Sequence, residues 1–206
     1  MFEKFFNQTR KPEGFLGNMM VSSMNAGHAK MAAWGMGLLP RLEIRAAADL
    51  GCGGGSNLAA LLKRYPEAEV LGADYSQVSV DRAGKKNAGE IAGGRCRVIR
   101  ADVSALPLEA EKFDLATAFE TVYFWPGPLE SFREVFRILR PEGRFLIVNE
   151  CDGTNPQDQK WLDIVEGMTI YPEKEMEGYL RQAGFGEVEI FHNEKKHWVA
   201  YLARKK

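Results

Sequence analysis

The sequence predicts an α/β fold, with a mostly parallel sheet that helices cover on both faces. Ala46–Leu50 is a short apolar run suited to a buried parallel strand, and a glycine-rich turn follows it. Further along the chain, strand-like runs alternate with amphipathic helices, the order that forms a doubly wound sheet. The 206 residues are 45% hydrophobic, which suits one domain with a full core.

The turn after the first strand has the composition of a ligand-binding loop. Four glycines fall within five positions: Gly51, Gly53, Gly54 and Gly55. Glycine accepts positive φ and lets a ligand reach the backbone, and the next helix points its positive dipole end at that ligand. Leu58, Leu61 and Leu62 mark the buried face of this helix, and Ser56 is expected as its N-cap. The pattern predicts a loop that holds a nucleotide-like cofactor.

An acidic residue then follows the predicted second strand. Glu69–Ala73 has the pattern of this strand, and Asp74 comes directly after it. An acid about 20 positions after a glycine loop, at the end of the neighbouring strand, can accept hydrogen bonds from both ribose hydroxyls. Asp74 can also cap the helix expected to start near Ser76, and the two roles are compatible. The glycine loop and this acid together predict a cofactor that contains a nucleoside.

The remaining predicted elements continue to alternate between strand and helix, and the chain then ends in a hairpin. A third strand is predicted at Arg95–Arg100, the clearest amphipathic helix at Pro126–Leu139, and a fifth strand at Gly143–Asn149. Near the end of the chain, Glu187–His192 and His197–Ala203 are strand-like runs separated by a short polar turn. Such a hairpin implies antiparallel pairing at one edge of the sheet.

Taken in chain order, five motifs resemble those of the class I S-adenosylmethionine-dependent methyltransferases. They are Asp49–Gly55, Asp74, Ala101–Val103, Phe113–Glu120 and Leu139–Phe145, within roughly residues 46–150. Glu142 departs from the family's usual Leu-Lys-Pro-Gly-Gly turn, at a position away from the cofactor. The resemblance implies a Rossmann-like, seven-stranded sheet that is mostly parallel and has an antiparallel last strand, in agreement with the predicted hairpin.

The resemblance also implies that the cofactor is S-adenosyl-L-methionine. In this family the backbone of the first motif cradles the methionine part of the cofactor, while the acid of that motif, here Asp49, faces the cofactor's amino group. Asp74 then holds the ribose, Tyr75 lies beside the adenine, and Asp102 binds the adenine amino group. The cofactor-binding residues that the resemblance implies are Asp49, Gly51, Cys52, Gly53, Asp74, Tyr75, Asp102 and Val103.

Two segments outside these motifs are expected to determine which acceptor binds. Residues 1–45 form a helical extension that holds five of the eight methionines: Met19, Met20, Met24, Met31 and Met36. Methionine adapts to irregular apolar shapes, so the extension is either a lid over the active site or ordinary core packing, and both remain open. Residues 46–206 form the cofactor-binding domain, with a substrate-side insertion at about 151–183. The candidate substrate contacts are Met24, Trp34, Trp125 and Tyr171.

The expected reaction is in-line displacement at a sulfonium methyl, with a small molecule as the acceptor. The leaving group is already activated, so the protein has to position the acceptor and exclude water. A base is needed only when the acceptor must lose a proton. Glu120 and Tyr123, just past the fourth strand, and His28, in the extension, are the candidate catalytic residues. Each of them can equally be a scaffold or pocket-wall residue.

Two other function classes share part of this pattern. A nicotinamide-dependent oxidoreductase would use the same glycines and Asp74, but Ser56 stands where the dinucleotide fingerprint has glycine or alanine. The Tyr-x-x-x-Lys pair of short-chain reductases occurs only as Tyr201 and Lys205, near the end of the chain. A non-catalytic S-adenosylmethionine-binding protein also fits, and only turnover separates it from an enzyme.

Composition argues against several partners. A formal net charge of −1 gives no attraction to nucleic acid or to an anionic membrane, and no apolar stretch is long enough to span a bilayer. Phe119–Val122 also lacks the Asn/Asp-Pro-Pro-Tyr/Phe motif of base-modifying methyltransferases. Three widely spaced cysteines suit neither a disulfide framework nor a metal site. We therefore expect a cytoplasmic protein with no bound metal, and the oligomeric state stays open.

Overall fold

The computed structural model describes residues 28–41 and 43–206. The strands are β1 (Ala46–Leu50), β2 (Glu69–Asp74), β3 (Cys96–Arg100), β4 (Phe113–Phe119), β5 (Leu139–Asn149), β6 (Glu187–Asn193) and β7 (Trp198–Arg204). The helices are α1 (Ala29–Leu38), α2 (Ser56–Arg64), α3 (Gln77–Lys86), α4 (Ala88–Ala92), α5 (Pro128–Ile138), α6 (Gln159–Ile164) and α7 (Glu173–Ala183). Short 3-10 turns lie at Val103–Ala105, Val122–Phe124 and Pro156–Asp158.

The seven strands form one sheet in the order β3-β2-β1-β4-β5-β7-β6. The first five strands pair in parallel, and β7 runs antiparallel to both β5 and β6. The predicted fold is therefore confirmed: a doubly wound, mostly parallel, Rossmann-like sheet with an antiparallel last strand. Because β1 has β2 on one side and β4 on the other, the chain changes direction across the sheet at the carboxyl end of β1. Open α/β sheets bind their ligands at such a switch point.

Each face of the sheet carries its own core. On one face, the predicted stripe of α2 is buried, and it packs with α1 against the sheet. On the other face, aromatic side chains dominate: the Trp125 and Phe145 rings stack at 6.1 Å, and Phe132 meets Phe145 edge-on at 5.8 Å. Such aromatic pairs stabilise the fold by more than the burial of their area alone. This half of the core therefore holds the end of β4 and the start of α5 in fixed positions.

Two predicted boundaries were slightly wrong near the fifth strand. The helix α5 begins at Pro128 because Gly127, its N-cap, has φ 61° and is not helical. The strand β5 begins at Leu139, four residues before the prediction, because Leu139 pairs with Phe113 across the sheet. The turn motif at Leu139–Phe145 therefore lies within the strand as the structure has it, with Glu142 at φ 69°.

The predicted hairpin is present, with β6 one residue longer than expected and β7 shifted by one residue towards the end of the chain. Asn193 pairs with Trp198, which closes the turn, and His197 within the turn has φ 56°. His192 is an exposed side chain that pairs with Glu173, with His192 Nε2 2.8 Å from a Glu173 carboxylate oxygen.

The helix cap predicted at Ser56 was wrong. Gly55 is the N-cap of α2, with φ 77°, and Ser56 is the first helical residue. A Cβ at position 55 would lie 2.8 Å from the Ala83 Cα, so the close approach of α3 as well as the left-handed backbone requires glycine here.

The described part of the N-terminal extension is packed against the sheet. Met31 and Met36 on α1 are buried, and Gly35 lets the helix approach β5 so closely that a Cβ would lie 2.4 Å from a methyl carbon of Val148. Met24 and the rest of residues 1–27 lie outside the described residues, so the lid remains a prediction. Among residues 28–41 and 43–206, no helix has the length and apolarity needed to cross a membrane.

Candidate functional site

A cavity of about 490 Å³ lies at the carboxyl ends of the central strands. The glycine turn at Gly51–Gly54 forms one wall, and the end of β2 with Asp74 and Tyr75 forms the next. Ala101–Val103 and the segment that follows β4 continue the lining, and α1 also contributes to it. The elements that the motifs mark are therefore brought together around one space.

Asp49 is buried beside this cavity with one oxygen lacking a partner. Its Oδ1 accepts a hydrogen bond from Thr117 Oγ1 at 2.8 Å, while Oδ2 has no partner among the described residues. Burial, partly offset by the Thr117 hydrogen bond, raises the pKa of Asp49 to about 7. A buried carboxylate with a free oxygen is stabilised by a cation, and the amino group of a bound amino acid would provide one.

Asp74 connects the second strand to the glycine turn. Its Oδ2 accepts a hydrogen bond from the Gly53 N–H and its Oδ1 accepts one from the Ser76 N–H, both at 2.9 Å. Burial raises its pKa, although these hydrogen bonds oppose the shift. Each carboxylate oxygen has two lone pairs, so Asp74 can hold the loop and still accept hydrogen bonds from a ribose.

Glycine is required at the turn for two different reasons. Gly51 has φ 77°, and a Cβ there would lie 2.0 Å from Thr121 Oγ1. Gly53 has φ 50° and open space where its Cβ would be. The first position leaves room for the Thr121 side chain, and the second leaves bare backbone facing the cavity.

The far end of the cavity has the residues expected beside an adenine. Tyr75 is 37% exposed and lines the cavity together with Asp102 and Val103. Asp102 Oδ1 accepts hydrogen bonds from the N–H and hydroxyl of Ser104, so its carboxylate is oriented by the turn that follows.

Three side chains meet at the opposite end, and we name them the acid–histidine cluster: His28, Glu120 and Glu150. His28 Nε2 lies 3.8 Å from Glu120 Oε2 and 3.8 Å from Glu150 Oε2. Glu120 follows β4 in the left-handed region, with φ 57°, which is strained for a residue with a side chain. Its Oε1 accepts hydrogen bonds from the Tyr123 hydroxyl, at 3.1 Å, and from the Glu150 N–H.

Burial shifts the protonation of this cluster. It raises the pKa of Glu120 to about 8, although hydrogen bonds from Glu150 and Tyr123 oppose the rise. Burial also lowers the pKa of His28, which Glu150 partly offsets, so the imidazole is neutral near pH 7. The Tyr123 hydroxyl, whose pKa is raised well above its usual value by burial, stays protonated and accepts a hydrogen bond from the Cys151 N–H at 2.8 Å.

Comparison with known proteins agrees with this geometry. Residues 48–147 match the family model described as a methyltransferase domain. The chain is 30% identical over 127 residues to a demethylmenaquinone methyltransferase of Lactobacillus johnsonii, covering 60% of this chain and 52% of that protein. These matches assign a methyltransferase domain to residues 48–147 and support a class I S-adenosylmethionine-dependent methyltransferase.

Other methyltransferases give the same assignment. Tocopherol O-methyltransferase of Arabidopsis thaliana is 29% identical over 129 residues, which cover 59% of this chain and 37% of that protein. The chain thus spans about half or less of the length of these curated relatives. A solved putative O-methyltransferase of Nostoc punctiforme shares the fold with a TM-score of 0.81 at 17% identity, covering 96% of this chain and 62% of that one.

The candidate substrate residues lie in different places in this methyltransferase domain. Trp125 lines the cavity, and its Nε1 donates a hydrogen bond to Thr121 Oγ1 at 3.1 Å. Trp34 packs against Trp198 with ring centroids 5.9 Å apart, and Tyr171 packs edge-on against Tyr179, so neither is a cavity-lining side chain.

Sequence reasoning missed two polar residues of the site. Thr117 orients Asp49, and its signal was a lone hydroxyl within the apolar strand β4. Glu150 completes the acid–histidine cluster, and its signal was an acid directly after a buried strand. Phe124 and Met36, which line the cavity, had no signal that distinguished them from core residues.

Proposed function

We propose that the protein transfers a methyl group from S-adenosyl-L-methionine to a small-molecule acceptor. One observation carries the proposal: Asp49 Oδ2 is buried next to the glycine turn and has no partner among the described residues. The amino group of the cofactor's methionine part supplies the missing cation. A nicotinamide dinucleotide has no such group, so it would leave this carboxylate oxygen unsatisfied.

The residues of the motifs fit the parts of this cofactor. Asp49 and the backbone of Gly51, Cys52 and Gly53 would hold the methionine part, and Asp74 the ribose. Tyr75, Asp102 and Val103 would surround the adenine. When bound, the cofactor supplies a methyl group already activated by its sulfonium. The protein itself orients the acceptor and excludes water from the cavity.

Glu120 is the proposed general base, and Tyr123 positions it. Glu120 lines the cavity, and its raised pKa lets it hold a proton near neutral pH. Tyr123 fixes the Glu120 carboxylate through its hydroxyl and is itself held by the Cys151 backbone. His28 adds a neutral nitrogen to the same end of the cavity, and Trp125 forms part of its wall.

The position of the Tyr-x-x-x-Lys pair argues against the oxidoreductase alternative. Lys205 Nζ donates hydrogen bonds to the Phe136 and Leu139 carbonyls at 2.9 and 2.7 Å, which closes the amino end of β5. Tyr201 is buried in β7. Neither residue lines the cavity, so both have structural roles.

Turnover tests the proposal. The protein is incubated with methyl-labelled S-adenosyl-L-methionine and a library of amines, phenols, thiols and carbon acids, and S-adenosylhomocysteine formation is measured. We expect acceptor-dependent formation that Glu120→Gln reduces and that the exposed-strand variant Glu189→Gln does not. Tight cofactor binding without turnover on any acceptor would instead assign the protein as a non-catalytic S-adenosylmethionine-binding protein.

The lid is a separate proposal. His28 lines the cavity, and so do Ala32 and Met36 on the helix α1 that follows it. We propose that residues 1–45 gain amide-exchange protection when S-adenosylhomocysteine binds. Equal protection with and without this ligand would contradict the lid.

The proposed cellular setting follows from the thiols and the charge. Cys52, Cys96 and Cys151 are free and buried, which suits a reducing compartment, and we propose the cytoplasm. The net charge of −1 supports a small molecule rather than nucleic acid or a membrane as the partner.

A further inference from the structure

The acid–histidine cluster presents three hydrogen-bond acceptors to one point. Glu120 Oε1 is engaged by Tyr123 and by the Glu150 backbone, which leaves Oε2 facing His28. His28 Nε2, Glu120 Oε2 and a Glu150 carboxylate oxygen all lie within 4.8 Å of one another. With its proton on Nδ1, the neutral imidazole offers a lone pair at Nε2, so all three atoms can accept once Glu120 is ionised.

The charge of the cavity favours a cation at this point. The described residues that line the cavity include the acids Asp74, Asp102 and Glu120 and no lysine or arginine. Glu150 adds a half-exposed carboxylate beside them. An anionic acceptor, such as a carboxylate or a phosphate ester, has no positive partner among these residues. A positively charged group would neutralise the cluster and favour the ionised form of Glu120.

The spacing distinguishes an ammonium group from a metal ion. Two ligands 3.8 Å apart would subtend about 130° at a metal 2.1 Å from each, which is wider than the tetrahedral angle and falls between the two octahedral angles. The same pair subtends about 85° at an ammonium nitrogen 2.8 Å away, which leaves N–H···acceptor angles of about 160°. The cluster thus fits three N–H donors without moving.

We infer that the methyl acceptor is a primary amine, whose ammonium group binds between His28, Glu120 and Glu150. This inference rests on the proposed function and specifies its substrate class. The aromatic wall beside the cluster, Phe124 and Trp125, would cover the carbon atoms next to the nitrogen.

The cluster also supplies the proton transfer that an amine requires. The bound R–NH₃⁺ gives one proton to the Glu120 carboxylate, which becomes a carboxylic acid, and the nitrogen gains a lone pair. That lone pair forms the new N–C bond to the sulfonium methyl carbon as the C–S bond breaks and its electrons stay on sulfur. The products are R–NH₂⁺–CH₃ and S-adenosylhomocysteine. Glu120 then returns its proton to water past His28 and Glu150, which are 30% and 50% exposed.

The test measures binding at His28 directly. The protein is labelled with ¹⁵N-histidine, saturated with S-adenosylhomocysteine, and titrated with benzylammonium chloride, benzyl alcohol or zinc chloride while the His28 imidazole signals are followed by NMR. We expect benzylammonium to bind at least about tenfold more tightly than benzyl alcohol. Glu120→Gln and Glu150→Gln, each checked for folding by circular dichroism, should reduce this preference, and the edge-strand control Glu189→Gln should leave it unchanged.

Several outcomes overturn the inference. Equal affinity for the amine and the alcohol, no response to either, or tighter binding of zinc than of benzylammonium would each do so. The S-adenosylhomocysteine titration that precedes these steps reports on the proposed function separately. If that ligand does not bind while benzylammonium still binds the apoprotein at His28, the cofactor assignment fails and the ammonium site stands.

Discussion

Asp49 is buried, and we propose that its carboxylate contacts the amino group of the cofactor. Burial holds its pKa near 7 in the apoprotein, and a bound amino group would lower it, so cofactor binding should release a proton. We expect release approaching one proton per S-adenosylhomocysteine at pH 6, falling towards zero above pH 8. Calorimetry in two buffers of different ionisation enthalpy measures this, and Asp49→Asn should abolish it. Proton release that persists in Asp49→Asn would show that another group releases the proton.

Asp74 gives a second prediction at the residue scale. Asp74→Ala would remove the proposed hydrogen bonds to the ribose, which would contribute about 1.5–3 kcal/mol each, so the dissociation constant for S-adenosylhomocysteine should rise at least about tenfold. Asp81→Ala, an exposed position on α3, serves as the control. An unchanged dissociation constant in folded Asp74→Ala would refute the ribose assignment.

Among the elements, the glycine turn was predictable from sequence and the acid–histidine cluster was not. The turn is contiguous in sequence with the strand before it and the helix after it. The local sequence pattern therefore predicts their geometry. The cluster is assembled from the start of α1, the end of β4 and the end of β5, and its distances depend on how those elements pack. The cap at Ser56 was mispredicted for the same reason, because the approach of α3 selects Gly55.

The glycine turn carries an element-scale prediction. Gly51→Ala would place a Cβ 2.0 Å from Thr121 Oγ1 in a left-handed backbone, and should destabilise the protein by at least about 1–3 kcal/mol. Gly37→Ala is the matched control, because nothing lies within 4 Å of its Cβ and its helical φ is ordinary; it should stabilise by about 0.4–1 kcal/mol. Urea unfolding of both variants measures the difference. Equal stability for the two would show that the turn tolerates a side chain.

For the whole molecule, the raised pKa of Glu120 predicts how stability depends on pH. Unfolded Glu120 ionises near its ordinary value of 4.5, and the folded protein holds the proton up to about pH 8. The folded state therefore binds more protons within this window, and Glu120 makes the free energy of unfolding fall as pH rises from about 5 to about 8. The lowered pKa of His28 acts in the opposite sense near pH 6.5.

Comparison with Glu120→Gln isolates the Glu120 contribution. Urea unfolding of both proteins at pH 5, 6.5 and 8 should show the wild type losing stability relative to the variant as pH rises. Parallel profiles would mean that Glu120 titrates near its ordinary value in the folded protein.

The identity of the cofactor decides the proposed function, because methyl transfer to any acceptor requires a bound methyl donor. Calorimetric titration of the purified protein with S-adenosylhomocysteine, with NADH as the parallel control, tests it most directly. We predict micromolar binding of S-adenosylhomocysteine and no heat from NADH. Binding of NADH alone would contradict the assignment of the glycine turn and of Asp49, and would point to hydride transfer.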